Sequence, residues 1–383
     1  MTSRVVLRAL AIASVCLAAV GCQSEGSEWS KHFNDSALKP PSSAVEERFG
    51  NGPVEITLLL PRGSTGIYDE PTRDVRDGAA LAAAELGDAL VTVRVVDVSG
   101  GPQAAKEAAE AAAARNSSLL LSYAGQETTG AIASIPVANR PPIINLSSTV
   151  TGENLFNFNS DDVEAAATVV AGLASADKTS IVVLAPSDFS AEQEQRLTGK
   201  VQQAGGRASQ ILRYAGDGKD IGKTVASRAD LIKNAGAVLI LGRTTAVNDV
   251  IAAVKKLNAN APILGTEGWP RSAILNPAAN GALLAASEQE GASLIAERYQ
   301  RHKGRGLTPN AARAYDSIAI GSGLVRAGGA EAIKASALSN PTGFRGVSGV
   351  FRFTTDGRTE RQFGLYRIES AKLVPVQAAS ASF

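Results

Sequence analysis

The sequence predicts an α/β protein of two successive lobes, each a parallel sheet covered by helices on both faces. Three observations carry this. Short apolar runs such as Val54–Leu60, Leu119-Leu120-Leu121 and Val238-Leu239-Ile240-Leu241 show little polar alternation, the pattern of strands buried on both sides. Longer stretches with apolar or small residues at helical spacing separate them. The strand–helix rhythm starts at Val54 and restarts after Asp161, so a chain of 383 residues holds two such units.

Before Val54 the chain carries addressing features. Residues 1–21 read as an export signal: Arg4 and Arg8 form a positive end, and Ala9–Val20 is an apolar run too short to span a bilayer comfortably. The run ends in Ala18-Ala19-Val20-Gly21-Cys22, which resembles a bacterial lipoprotein processing site with Ala19 where leucine is usual. Cleavage there leaves Cys22 first and acylated, a lipid anchor to the membrane. Cys16 is then discarded, so neither of the two cysteines is left to form a disulfide. Residues 22–52 lack periodicity, are rich in Ser, Gly, Asn, Glu and Pro, and read as a flexible tether reaching about 100 Å when extended. Trp29 and Phe33 within it are stray aromatics or docking residues.

The folded part begins with a strand at Val54–Leu60, a Gly-rich turn and a helix over Val75–Leu86. Val91–Val98 is a strand, Gln103–Arg115 an Ala-rich helix, Leu119–Leu121 a strand, Thr129–Val137 a helix and Ile143–Leu146 a strand. The second set comprises helices near 163–173, 192–204, 221–233 and 246–257, alternating with strands at Ile181–Leu184, Ser209–Tyr214, Val238–Leu241 and Ile263-Leu264. The rhythm then breaks. Ala282–Ala286 is a strand, 292–302 and 311–327 are helices, and Val347–Phe353 and Phe363–Ile368 form a hairpin around Thr355-Asp356-Gly357. Residues 377–383 are a small, polar tail.

Composition narrows the function. The 38 basic and 37 acidic residues nearly cancel, which gives no electrostatic pull toward nucleic acid. The two histidines, His32 in the tether and His302 in Arg301-His302-Lys303, leave little for imidazole catalysis. No Gly-x-Ser-x-Gly elbow, phosphate loop or metal-ligand spacing is visible, so no enzyme, metal or cofactor is expected.

Four segments carry a family likeness: Gly66-Ile67-Tyr68-Asp69 with Gly78-Ala79-Ala80-Leu81-Ala82; Pro142-Ile143-Ile144-Asn145-Leu146-Ser147-Ser148-Thr149; Ala314-Tyr315-Asp316-Ser317-Ile318-Ala319; and Gly343–Phe353 with Asp356-Gly357. In this order and spacing, residues 53–376 resemble type I periplasmic (solute) binding proteins of the branched-chain amino-acid receptor group. The resemblance implies two Rossmann-like lobes, three hinge crossings and a central cleft. The crossings are expected near 157–161, 281–287 and 340–345, giving lobe 1 as 53–158 plus 284–340 and lobe 2 as 159–281 plus 342–376.

Ligands of open parallel sheets bind beyond the C-terminal strand ends. Gln126-Glu127-Thr128-Thr129, Ser147-Ser148-Thr149 and Gly265-Thr266-Glu267-Gly268-Trp269 sit just after such ends. By resemblance, Thr128, Thr129, Ser147, Ser148 and Thr149 hold a ligand carboxylate, Glu267 an ammonium group, and Tyr68 walls the cleft. Each has a plainer role open to it: helix capping for the hydroxyls, solvation for Glu267, packing for Tyr68. Arg243 departs from the family pattern, standing where an aromatic residue is common. It clamps an acidic ligand or is an exposed helix-start residue. The stretch from Tyr68 to Gly78, with Asp69, Glu70, Arg73, Asp74, Arg76 and Asp77, reads as an unusually long charged loop.

The resemblance implies a lipid-anchored receptor delivering an amino acid or similar small polar solute to an ABC transporter permease. The chain is also similar to penicillin-binding protein activator lipoproteins, which contact a peptidoglycan synthase. Trp269, the tether and the charged loop suit that alternative, and Gln23 after the anchor is compatible with outer-membrane sorting in a diderm cell.

Overall fold

The computed structural model describes residues 47–62, 67–87, 89–159, 162–174, 179–243, 245–287 and 292–383. The expected export signal, Cys22 and the expected tether up to residue 46 lie outside them.

The first lobe is built on strands β1 (Glu47–Phe49), β2 (Val54–Leu60), β3 (Val91–Asp97), β4 (Leu119–Ser122), β5 (Ile143–Asn145) and β6 (Leu155–Asn157), in the order β1-β3-β2-β4-β5-β6. All pairings are parallel except β1–β3. Within β2, Ile56, Leu58 and Leu60 enter one core and Leu59 enters the opposite one. The first core takes Val75 and Ala79 of α1 (Glu70–Ala82) and Ala314 and Ile318 of α11 (Pro309–Gly328). The second takes Ala105 and Ala109 of α2 (Pro102–Ala114) and Ile132 of α3 (Gly125–Ala133). The two faces explain the unbroken apolar runs: each side chain points into a core whichever way the pleat turns it. Gly78 allows α1 and α11 to cross closely, since a Cβ there would lie 2.2 Å from the Ala311 carbonyl oxygen.

The second lobe has the strand order β16-β15-β11-β10-β9-β7-β8. Its strands are β7 (Ile181–Pro186), β8 (Ala208–Tyr214), β9 (Ala237–Ile240), β10 (Ile263–Thr266), β11 (Leu283–Ser287), β15 (Phe363–Glu369) and β16 (Lys372–Gln377). β15 pairs antiparallel with both its neighbours, and the other pairings are parallel. Val238 and Ile240 face one core, with α8 (Ala246–Leu257), while Ala237 and Leu239 face the other, with α4 (Asp162–Ala171) and α5 (Ala191–Gln203).

Four expectations change. Residues 47–49, expected to belong to a tether, form β1 at the sheet edge: Glu47 carries ion pairs to Arg76 and Arg62 that anchor a strand with little apolar content. The charged stretch from Tyr68 is a helix, not a long loop. Asp69 caps α1 by accepting from Thr72 N at 2.8 Å, and Asp74 and Asp77 are buried against Arg305, with Asp77 2.6 Å from it. The second crossing lies after Ser287, since β11 pairs with β10 and β15 in the second sheet.

The fourth change concerns the chain's return. Val347–Phe353 does not pair with Phe363–Ile368. Instead β12 (Phe344–Gly346), β13 (Gly349–Phe353) and β14 (Thr359–Arg361) form a small antiparallel sheet around the Asp356-Gly357 turn, where Gly357 has φ 82°. Phe351 and Phe353 pack on Phe156 and Phe158 with ring centroids 4.5–5.4 Å apart, so this segment joins the first lobe's core. The third crossing therefore falls between Arg361 and Phe363. It is stitched to the first crossing: Asn157 N donates to Gly357 O at 2.7 Å, Thr359 Oγ1 donates to Asn157 O, and Arg361 Nη2 donates to Phe158 O at 3.0 Å.

Candidate functional site

The C-terminal ends of β9 and β10 and the start of α11 face one cavity of about 300 Å³ between the lobes. Arg243, Thr266, Glu267 and Trp269 reach it from the second lobe, and Thr308, Pro309, Ala312 and Arg313 from the first. Ser287 lines it from the end of β11, and Ser348 and Arg361 from the small sheet. Ile274, Leu284, Leu307 and Val347 supply apolar wall. Such a mixed lining, apolar with a few converging charges, suits a small solute.

Each polar group is held locally. Glu267 accepts from Ser287 N at 3.1 Å and from Ser287 Oγ at 2.6 Å, which ties the ends of β10 and β11 together. Trp269 Nε1 donates to Ile240 O at 2.8 Å, and its ring lies over Gly265, where a Cβ would stand 2.4 Å from a ring carbon. Arg243 Nη2 lies 3.1 Å from Asp162 Oδ1. Thr308 caps α11 by accepting from Ala311 N at 3.3 Å.

Of the two remaining cations, Arg313 is half-buried and Arg361 is buried. Arg313 donates from Nη2 to Asn310 Oδ1 at 2.6 Å. Burial, reinforced by the positive charges of Arg361 and Arg243, pushes its guanidinium down to about 10. Arg361, 8% exposed, donates to Ser348 O and Phe158 O, both at 3.0 Å, and lies over the rings of Phe158 and Phe351. The Nε atoms of both residues are sealed from solvent and have no hydrogen-bond partner. Behind Ser348, the buried Asp316 carboxylate accepts from Val347 N (2.7 Å), Ser348 N (2.8 Å) and Ser348 Oγ (2.5 Å). Burial raises the Asp316 pKa.

A second cavity of about 440 Å³ is almost wholly polar. Gln126, Thr149 and Thr151 line it from the first lobe, Asn157, Asn159 and Thr359 from the crossings, and Asp188, Ser190 and Gln193 from the second lobe. Arg358 Nη1 reaches Glu192 Oε1 across it at 3.0 Å.

The sequence-predicted residues divide accordingly. Arg243, Glu267 and Trp269 meet on the first cavity, and Thr149 lines the second. Thr128, Thr129, Ser147, Ser148 and Tyr68 line neither. Thr129 is fully buried, with its Oγ1 3.3 Å from Ser122 Oγ. Ser147 Oγ accepts the Gly125 N–H at 2.9 Å, satisfying a free donor at the start of α3, and Ser148 Oγ accepts from Asn145 Nδ2 at 2.7 Å. The Tyr68 hydroxyl accepts from Arg62 Nε at 3.0 Å and donates to Glu47 Oε2 at 3.3 Å. Sequence reasoning missed Arg313 and Arg361. Their signals were a lone charge among small residues (Ala311-Ala312-Arg313-Ala314) and an arginine on the inward phase of a strand.

No protein-family model matches the chain, and no curated protein matches it. Solved structures do. An ABC-type branched-chain amino acid transporter protein from Rhodopseudomonas palustris superposes with TM-score 0.67 at 14% identity, covering 85% of this chain and 96% of that one. A branched-chain amino acid transporter substrate-binding protein from Streptococcus pneumoniae, in complex with isoleucine, gives 0.60 at 16% identity, covering 85% and 99%. A solute-binding protein from R. palustris, in complex with benzoate, gives 0.62 at 16% identity, covering 86% and 98%. The chain thus has the type I periplasmic-binding-protein fold, and these neighbours are solute-binding proteins of ABC transporters.

Proposed function

We propose that this chain is an extracytoplasmic solute-binding protein of an ABC-type transporter, which captures a small carboxylate-bearing solute between its lobes and carries out no catalytic step. The observation that carries the reading is the cavity itself. Both lobes and the third crossing line it, so lobe closure changes the contacts of Arg243, Glu267, Arg313 and Arg361 together. The ligands named with similar structures, isoleucine and benzoate, share a carboxylate. A thermal-shift and calorimetric screen of amino acids, organic acids and sugars against the full chain tests this. Stabilisation by at least one solute is the expected result, and none by any of them refutes capture.

Attachment through acylated Cys22 to the outer face of a membrane completes the proposal, and an ABC permease is the partner it implies. Replacing Cys22 by serine is expected to move the protein from the membrane to the soluble fraction, whereas unchanged membrane retention refutes lipid anchoring. The alternative, a regulator docking on a peptidoglycan synthase, has less to rest on: Trp269 is 5% exposed, and Asp74, Arg76 and Asp77 of the charged stretch are held in internal ion pairs, while Asp69, Glu70 and Arg73 stay exposed.

A further inference from the structure

Among the described residues, the first cavity brings together three guanidinium groups and one carboxylate, Arg243, Arg313 and Arg361 against Glu267. Their partners differ. Arg243 lies against Asp162, and Arg361 is held by two carbonyl oxygens and two aromatic rings. Arg313 has a single neutral acceptor, Asn310, and no carboxylate within ion-pair distance among the described residues. Both side chains line one chamber, while their Nε atoms are sealed and have no acceptor among the described residues. A poorly partnered guanidinium is costly, and an anion held in the chamber beside it relieves part of that cost. A planar carboxylate accepts two parallel N–H bonds from such a fork. Asp162 offsets Arg243, so the cations a solute meets on this wall are Arg313 and Arg361, and a zwitterion sets its ammonium against them without bringing net charge. An acid without an amino group brings one negative charge. The lining also includes apolar side chains, among them Trp269, Leu284, Leu307 and Val347.

We propose that Arg313, backed by Arg361, is the anion-binding residue of the cleft, and that the solute is a monocarboxylic acid with an apolar body and no ammonium group. This rests on the solute-capture reading above and names its substrate class. The carboxylate sits on the guanidinium pair, and the hydrocarbon lies on the Trp269 side.

Calorimetry on the full chain with benzoate, hexanoate, leucine and benzamide decides it, repeated with Arg313→Gln and Arg313→Lys. Benzoate or hexanoate is expected to bind at least tenfold tighter than leucine. Arg313→Gln should weaken that acid by about tenfold or more, the scale of one lost charge-assisted hydrogen bond. Arg313→Lys should restore part of the loss, and benzamide should bind wild type and Arg313→Gln within about twofold of each other. That last readout separates a charge contact from a merely structural role. Leucine binding at least as tightly as the acids, or acid affinity unmoved by Arg313→Gln, overturns the proposal while leaving solute capture standing. Silence toward both acids overturns it too, and the wider solute screen then decides capture separately.

Discussion

Replacing Arg313 with methionine is expected to stabilise the unliganded protein, although it removes a residue that lines the first cavity from α11. Burial and its two cationic neighbours push the guanidinium well below its ordinary value, to about 10. At ~1.4 kcal/mol per tenfold change, holding it charged in the fold costs roughly 3 kcal/mol. Methionine keeps most of the side-chain length and gives up the hydrogen bond to Asn310, worth about 1 kcal/mol. The net gain is about 2 kcal/mol, read as a rise of about 4 °C in the thermal midpoint. The pH dependence follows from the sign. A cation whose folded pKa is depressed is disfavoured at every pH below the folded value, and the cost fades only as pH rises through about 10. The gain should therefore be flat from about pH 5 to about pH 9. Differential scanning calorimetry across that range checks it. A midpoint that falls, or a gain that varies strongly with pH in this window, refutes the view that Arg313 is an uncompensated buried charge.

Three other outcomes follow from the same geometry. Gly346→Ala places a Cβ 2.5 Å from the Asp316 carboxylate and should cost about 3 kcal/mol in urea denaturation, because Val347 N and Ser348 N lose their acceptor; a loss under ~0.5 kcal/mol would show that Asp316 can relocate freely. Trp269→Phe removes the bond to Ile240 O and should destabilise by about 1–2 kcal/mol. It should also abolish any ligand-induced change in tryptophan fluorescence, since the other of the two tryptophans, Trp29, lies in the N-terminal stretch. Glu267→Gln removes the cavity's one lining carboxylate among the described residues and should tighten benzoate about threefold, whereas a loss of tenfold or more would mean that Glu267 holds a positive group on the solute.

The cavity was partly legible from local order. Arg243, Glu267 and Trp269 follow strand ends directly, so a rule about where parallel strands deliver polar groups finds them. Ser147 and Ser148 obey the same rule and are spent on Gly125 N and Asn145, because a free helix N–H and a buried amide lie closer to hand. Arg313 and Arg361 were not legible. They come from a helix and from the last strand of a small sheet, and only the return of the chain across the third crossing brings them to one wall.

The crossings show the same division. The resemblance placed the first one near 157–161, where the strand–helix rhythm restarts, but β11 reads equally well as a strand of either lobe, and only its pairing with β10 and β15 assigns it. The hairpin signal at Asp356-Gly357 was sound as a turn, yet the strand after it stops at Arg361 and Phe363 starts a strand in the other sheet. Apolar runs buried on two faces, and helices between them, follow from periodicity alone, because burial of a strand or a helix face is written into neighbouring residues. Which strands share a sheet, and which charges share a cavity, depends on contacts between residues far apart in the chain, where free energies of pairing and desolvation are decided only once the lobes are built.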